Sequence, residues 1–94
     1  MDELYLYARA GCHLCDDVRR VLVLLLEERR AAGLPSPTLV ERDIDTDETW
    51  QRAFVTTIPV VELRGQRIEL ATSPLRIRRL LADVLDAPAA AARG

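Results

Sequence analysis

Tyr7-Ala8-Arg9-Ala10-Gly11-Cys12-His13-Leu14-Cys15-Asp16 is the stretch on which the reading of this chain turns. Upstream of the cysteines, Leu4 and Leu6 alternate with Tyr5 and Tyr7, so both faces of a strand over residues 3–8 are apolar, the pattern of a buried parallel strand. Downstream, Val18, Val21, Leu22, Leu25 and Leu26 recur at i, i+3, i+4, i+7 and i+8, which predicts an amphipathic helix over about residues 13–32. Asp16 and Asp17 stand near its start and Arg29 and Arg30 near its end, the order the helix dipole favours, and Gly33 follows as a C′ glycine. Arg9-Ala10-Gly11-Cys12 is the short turn between strand and helix.

A CxxC at such a junction puts the first sulfur at a helix N-terminus, beside unpaired N–H groups and the positive end of the dipole. That setting favours thiolate over thiol. One helical turn brings the second sulfur within disulfide reach of the first, so Cys12 reads as the exposed, attacking thiol and Cys15 as the resolving one. The dipole contribution of about 0.3–1 kcal/mol is less than about one pKa unit. Arg9 and protonated His13 push in the same direction, and Asp16 and Asp17 push back if they approach the sulfur.

Other readings of the pair stay open on the residues alone. A zinc knuckle needs four ligands, and the chain offers Cys12, Cys15 and His13 before turning to carboxylates. A c-type haem motif wants His after the second Cys, where Asp16 stands. An inert local disulfide, or two buried thiols, completes the set. His13 by itself reads as a solvated first-turn residue.

Outward from the motif, Leu34-Pro35-Ser36-Pro37 breaks the helix and turns the chain back. Residues 38–44 form a β-like run with Leu39 and Val40 for the core; Asp45-Thr46-Asp47 is a cap cluster, and a short helix follows over residues 48–54. Residues 59–63 and 66–70 read as two strands of a hairpin turning at Arg64-Gly65. Ser73 and Pro74 read as N-cap and N1 of a last helix with Leu75, Leu80, Leu81, Val84 and Leu85 as its apolar stripe, leaving at Asp86-Ala87-Pro88. The order β-α-β-α-β-β-α predicts an α/β fold: a mixed four-stranded sheet flanked by helices on both faces. One domain over residues 1–88 is expected, with residues 89–94 a frayed tail.

Composition narrows the function classes. At 94 residues there is room for one small domain, and 49% hydrophobic content supports a packed core. The longest apolar run, residues 21–26, is far short of the ~20 residues of a membrane span. All thirteen basic residues are Arg, scattered or paired beside acids within a net charge of −2, so neither a nucleic-acid patch nor a membrane-binding patch is expected. Two local cysteines do not make a secreted disulfide scaffold. With neither a basic n-region nor an apolar h-region at the start, a cytoplasmic location is expected.

Pro59 sits where a strand begins, a position that tolerates a missing N–H. Taken with the upstream strand, CxxC and helix, however, Thr57-Ile58-Pro59-Val60 resembles the cis-proline loop of the thioredoxin-like superfamily. The quoted active-site stretch is similar to that of glutaredoxins, with Arg9 where a basic residue precedes the motif by three, and Asp43-Ile44-Asp45 resembles the end of their second strand. The likeness spans about residues 3–86 and is greatest to small glutaredoxin-like proteins reading Gly-Cys-His-Leu-Cys. The resemblance implies a thiol–disulfide oxidoreductase with a thioredoxin-like fold, with Cys12 and Cys15 catalytic, and Arg9, His13, Ile58, Pro59 and Ser73 at the substrate. It implies a cis Pro59 facing the CxxC, with the Ile58 backbone forming a short β-bridge to an extended substrate. No resident cofactor or metal is expected; glutathione is a candidate co-substrate, and the partners are a small thiol or protein disulfide and an external reductant, acting on a monomer.

Two departures from the family pattern stand out. Leu70-Ala71-Thr72-Ser73 replaces the Gly-Gly and acidic residue that hold glutathione, leaving the Ser73 helix end to take a carboxylate. His13-Leu14 replaces the usual aromatic residue between the cysteines. Two alternative functions remain beside the oxidoreductase. One is an iron–sulfur cluster module in which Cys12 ligates a bridging cluster in a dimer, as some glutaredoxins do. The other is a redox-inactive partner-binding module, for which Val23 and Leu24, apolar but off the main stripe, are the pointer.

Overall fold

The computed structural model describes residues 2–86, so the tail expected over residues 89–94 and the exit at Ala87-Pro88 lie outside the described residues. The elements run β1 (Glu3–Ala8), α1 (His13–Ala31), β2 (Thr38–Asp43), a 3₁₀ turn (Ile44–Thr46), α2 (Glu48–Phe54), β3 (Val60–Leu63), β4 (Gln66–Ile68) and α3 (Pro74–Leu81), which continues as a π-helical turn (Ala82–Asp86). The sheet order is β2-β1-β3-β4. β1 pairs parallel with β2 and antiparallel with β3, and β3 pairs antiparallel with β4. This is the expected mixed sheet of a thioredoxin-like fold.

Strand alternation divides the core into two layers. Leu4, Leu6 and Ala8 of β1 join Val61 and Leu63 of β3 and the inner faces of α1 and α3: Val18, Leu22, Leu25 and Leu26 with Ile77, Leu80 and Leu81. On the opposite face Tyr7, Val60, Ile44 and Phe54 form the second cluster, closed by α2 and edged by Tyr5 and Trp50. The Tyr7 hydroxyl donates to Glu62 (3.0 Å) and accepts from Arg42 (2.8 Å). Burial, and after it the bond to the Glu62 carboxylate, holds the Tyr7 phenol above its ordinary pKa, so it stays a neutral donor.

Local chemistry sets the element ends. The α1 terminus is a Schellman motif: Gly33 has φ +73, its N–H donates to the Arg30 carbonyl (3.1 Å), and Leu34 N–H donates to the Arg29 carbonyl (2.9 Å). A Cβ on Gly33 would meet nothing within 4 Å, so its exclusion is conformational. Gly33→Ala is therefore expected to lower unfolding free energy by about 1–2 kcal/mol in denaturant titrations, with Gly33→Asn costing less, because only the left-handed backbone is penalised. Asp47 caps α2 by accepting from Thr49 and Trp50 N–H (2.8 and 3.2 Å). Both turn residues of the hairpin have positive φ, Arg64 at 49 and Gly65 at 79, as a two-residue type I′ turn requires. Arg64 is held there by both Asp2 oxygens (2.8 and 2.7 Å) and the Val84 carbonyl (3.1 Å).

Several expectations are corrected. β2 stops at Asp43, and Ile44 opens the 3₁₀ turn instead of ending the strand. Because β2 is an edge strand, Leu39 and Val40 are only half-buried, and the residue this segment sends fully into the core is Ile44. β3 begins at Val60, one residue after Pro59, and β4 ends at Ile68. In α3 the buried residues are Ile77, Leu80, Leu81 and Val84, spaced i, i+3, i+4, i+7; Leu75 falls off that stripe and is exposed, and Leu85 is half-buried.

Candidate redox site

The site is built where β1 runs into α1. Gly11, with φ +79, lets the chain reverse after Ala8, and Cys12 then takes extended angles (φ −92, ψ 106) as the N-cap of α1. Its sulfur accepts the Cys15 N–H at 3.1 Å, and its carbonyl accepts the Asp16 N–H at 3.1 Å. The capping atom that Ser or Asp oxygen supplies elsewhere is here the Cys12 sulfur itself. Cys12 and Cys15 are joined in a disulfide with Cα atoms 5.2 Å apart. Cys15 is fully buried among Val18, Leu22 and the β1 side chains, whereas Cys12 is half-buried. Of the two sulfur-bearing side chains, Cys12 is the one open to solvent.

Charges around the motif cancel in pairs. Arg9 does not stand free beside the sulfur: its guanidinium grips both Asp45 oxygens (3.2 and 2.7 Å), and Asp45 also accepts from Gln51 (3.1 Å). Asp16 pairs with Arg19 (2.7 Å), which also binds Glu41, and Asp17 pairs with Arg20. The hydrogen bond from Arg19 holds the Asp16 carboxyl below its ordinary pKa, and Asp16 and Glu41 in turn raise that of Arg19. With Arg9 paired to Asp45 and both aspartates countered, the positive groups left beside the Cys12 sulfur are the N-terminus of α1 and the Cys15 N–H. His13 is the first residue of α1 and is exposed.

The loop that the family resemblance assigns to the site lies before β3, and its Ile58 packs on the same core cluster as Cys12. The Ile58–Pro59 peptide bond is cis, Pro59 is fully buried, and Ile58 packs against both core clusters. Thr57 and Ile58 N–H both donate to the Phe54 carbonyl (2.9 and 3.0 Å). The Ile58 N–H is thus already used within the chain, and a substrate strand would find only the Ile58 carbonyl. Two 2.8 Å bonds, Leu70 N–H to the Thr57 carbonyl and Ala71 N–H to the Pro59 carbonyl, tie this loop to the segment entering α3. Leu70 has φ 48 and is exposed. The Ser73 hydroxyl caps α3, accepting from Arg76 N–H at 3.2 Å.

The structure therefore brings Cys12, Cys15 and His13 together at the start of α1, turns Arg9 toward Asp45, and puts Ser73 at the head of α3. Sequence reading missed the Arg9–Asp45 pair and the Ile58 N–H bond; the acid run around residue 45 was the available signal for the first, and nothing local signalled the second. Among the described residues, no group of three or more His, Cys, Asp or Glu side chains is placed to hold a metal ion. No described helix is long and apolar enough to cross a membrane.

Comparison with known proteins places this geometry in context. A family model described as Glutaredoxin-like domain (DUF836) matches residues 3–85. No curated protein matches the chain. Among solved structures it is similar to protein XcR50 of X. campestris (27% identity, 85% of this chain and 96% of that one, TM-score 0.67). It is also similar to protein Ne2328 of Nitrosomonas europaea (26% identity, 72% of this chain and 73% of that one, TM-score 0.56). Oxidized mitochondrial thioredoxin 3 of Saccharomyces cerevisiae shares the fold (20% identity, 87% and 77% covered, TM-score 0.64).

Proposed function

The chain belongs to the Glutaredoxin-like domain (DUF836) family, and on that premise we propose that it is a dithiol–disulfide oxidoreductase working in the cytoplasm. The observation that carries this reading is the half-buried Cys12 sulfur capping α1 with the fully buried Cys15 one turn below. In the reduced protein the Cys12 thiolate attacks one sulfur of a substrate disulfide, forming a mixed disulfide and releasing the other sulfur as a thiolate that takes a proton. Cys15, deprotonated, then attacks the Cys12 sulfur, closing the 12–15 disulfide and releasing the reduced substrate thiol. Two electrons have passed to the substrate, and an external thiol reductant restores them.

Ile58 and Pro59 position the substrate. With its N–H committed to Phe54, Ile58 offers a single carbonyl to an incoming N–H, and the β-bridge implied by resemblance reduces to one hydrogen bond. Substrates are a protein disulfide or a small mixed disulfide, glutathione among them. A glutathione carboxylate would meet the head of α3, where Ser73 already serves as cap.

Trapping tests the assignment of the two thiols. Cys15→Ser, incubated with oxidised glutathione, is expected to gain one glutathionyl group on Cys12 by intact mass, while Cys12→Ser gains none because Cys15 is buried. An unmodified Cys15→Ser protein overturns the reading. The partner-binding alternative retains its own observation, since Val23 and Leu24 are 49% and 65% exposed.

A further inference from the structure

We propose that the open edge of β2 and the stripe of α1 beside it form a two-fold interface with a second copy of this chain, replacing the monomer expected from sequence. β2 is terminal in the sheet. Thr38 N–H donates inward to the Asp2 carbonyl at 3.0 Å. By strand alternation Val40 and Arg42 also bond toward β1, so the backbone groups of Leu39 and Glu41 face outward, unpaired within the sheet.

Along that edge a groove of about 340 Å³ lies between α1 and β2, with Val23, Glu27, Arg30 and Leu39 in its walls. A second cavity at the same edge, nearer the CxxC, has Asp16 and Arg19 facing Glu41. α1 therefore turns Asp16, Arg19, Val23, Glu27 and Arg30 toward the open edge, in the order acid, base, apolar, acid, base. Read backwards by an antiparallel copy, the order is base, acid, apolar, base, acid, and every position meets its complement. Asp16 lies opposite Arg30, Arg19 opposite Glu27, and Val23 opposite itself, giving four ion pairs around one apolar contact. A stripe evolved for an unrelated extended peptide has no need to be its own reverse complement, whereas an isologous interface requires it.

The geometry agrees. Val23 and Leu39 line one groove, so a single two-fold axis near them reverses both helix and strand. β2 then pairs with the second β2. With strands ~4.8 Å apart and α1 above β1 and β2, the two α1 helices come about 10 Å apart, the spacing of packed helices. Within one chain the same charges make exposed pairs, Arg30 with Glu27 and Arg19 with Asp16 and Glu41, and such pairs are weak enough to rearrange.

Charge reversal tests this without reference to redox activity. At about 0.1 mM, light scattering behind gel filtration is expected to give the wild-type chain twice its 10.6 kDa mass. Glu27→Arg sets arginines against each other across the axis and Arg19→Glu sets carboxylates against each other, so each variant alone is expected to dissociate at least about tenfold more readily. Mixed one to one, the two variants are expected to form a heterodimer, because every pair is again opposite in sign. Val23→Arg, an exposed change at the axis, supplies a second disrupting variant if Arg19→Glu does not fold by circular dichroism. A monomeric wild type, variants that stay dimeric, or a mixture of folded variants that stays monomeric would each overturn the proposal.

Discussion

Cys12→Ser is expected to leave the fold intact and to lower disulfide reduction by at least about a thousandfold, to the rate of the uncatalysed exchange. A serine hydroxyl stays protonated near neutral pH and forms no mixed disulfide, so no later step can compensate. Stability is expected to change little, because Ser is among the preferred N-cap residues and its oxygen can accept the Cys15 N–H that the sulfur accepts now. The variant thus separates two roles carried by one atom: capping survives and chemistry does not. The check is reduction of a small glutathione mixed disulfide alongside a denaturant titration of the same preparation. Activity within tenfold of wild type would remove Cys12 from the mechanism; an unfolded variant would mean the cap matters more than the chemistry argued here. Cys15→Ser differs in kind, since it keeps the attacking thiol and loses the intramolecular release.

How much of this was legible in sequence depended on the range of the interactions. β1 and α2 have the bounds that periodicity and cap residues predicted, and α1 differs by one residue, because alternation, the i, i+3, i+4 pattern and the Gly33 stop are local signals. The burial of Leu39 and Val40 was overestimated because an apolar strand looks alike at the centre and at the edge of a sheet, and only the strand order tells them apart. At the candidate site the two cysteines were readable from motif and spacing, whereas Pro59 was singled out only by the family resemblance. The neutralisation of Arg9 was not readable, because Asp45 is 36 residues away and reaches it only once the 3₁₀ turn folds beside the β1 end. The stripe on α1 was also in plain view as letters. Its self-complementarity acquires meaning only when β2 proves to be the open edge.

Ile77 is where a stability measurement separates the two readings of α3. Letters favour Leu75, which follows the helix-starting Pro74, over Ile77, which sits between Arg76 and Arg78. In the fold Ile77 is fully buried within the main cluster, where α3 packs on α1 and β3, and Leu75 is 58% exposed. Truncating a buried isoleucine loses its transfer free energy and leaves a cavity, so Ile77→Ala is expected to cost about 3 kcal/mol, whereas Leu75→Ala should cost less than about 0.5 kcal/mol. In a domain of this size the first loss corresponds to a fall in Tm of roughly 12–24 °C, and the second is within a few degrees of no change. The consequence reaches the redox site through backbone. α3 begins just after Leu70 and Ala71, whose N–H groups hold the Thr57 and Pro59 carbonyls at 2.8 Å, so loosening the helix start loosens the loop that carries Ile58. Below its own unfolding transition, Ile77→Ala is therefore expected to raise KM for a protein disulfide, while the same change added to Cys15→Ser leaves the trapping of glutathione on Cys12 unchanged. Equal costs for the two truncations, or a larger one at Leu75, would mean that α3 is rotated about its axis from the arrangement described.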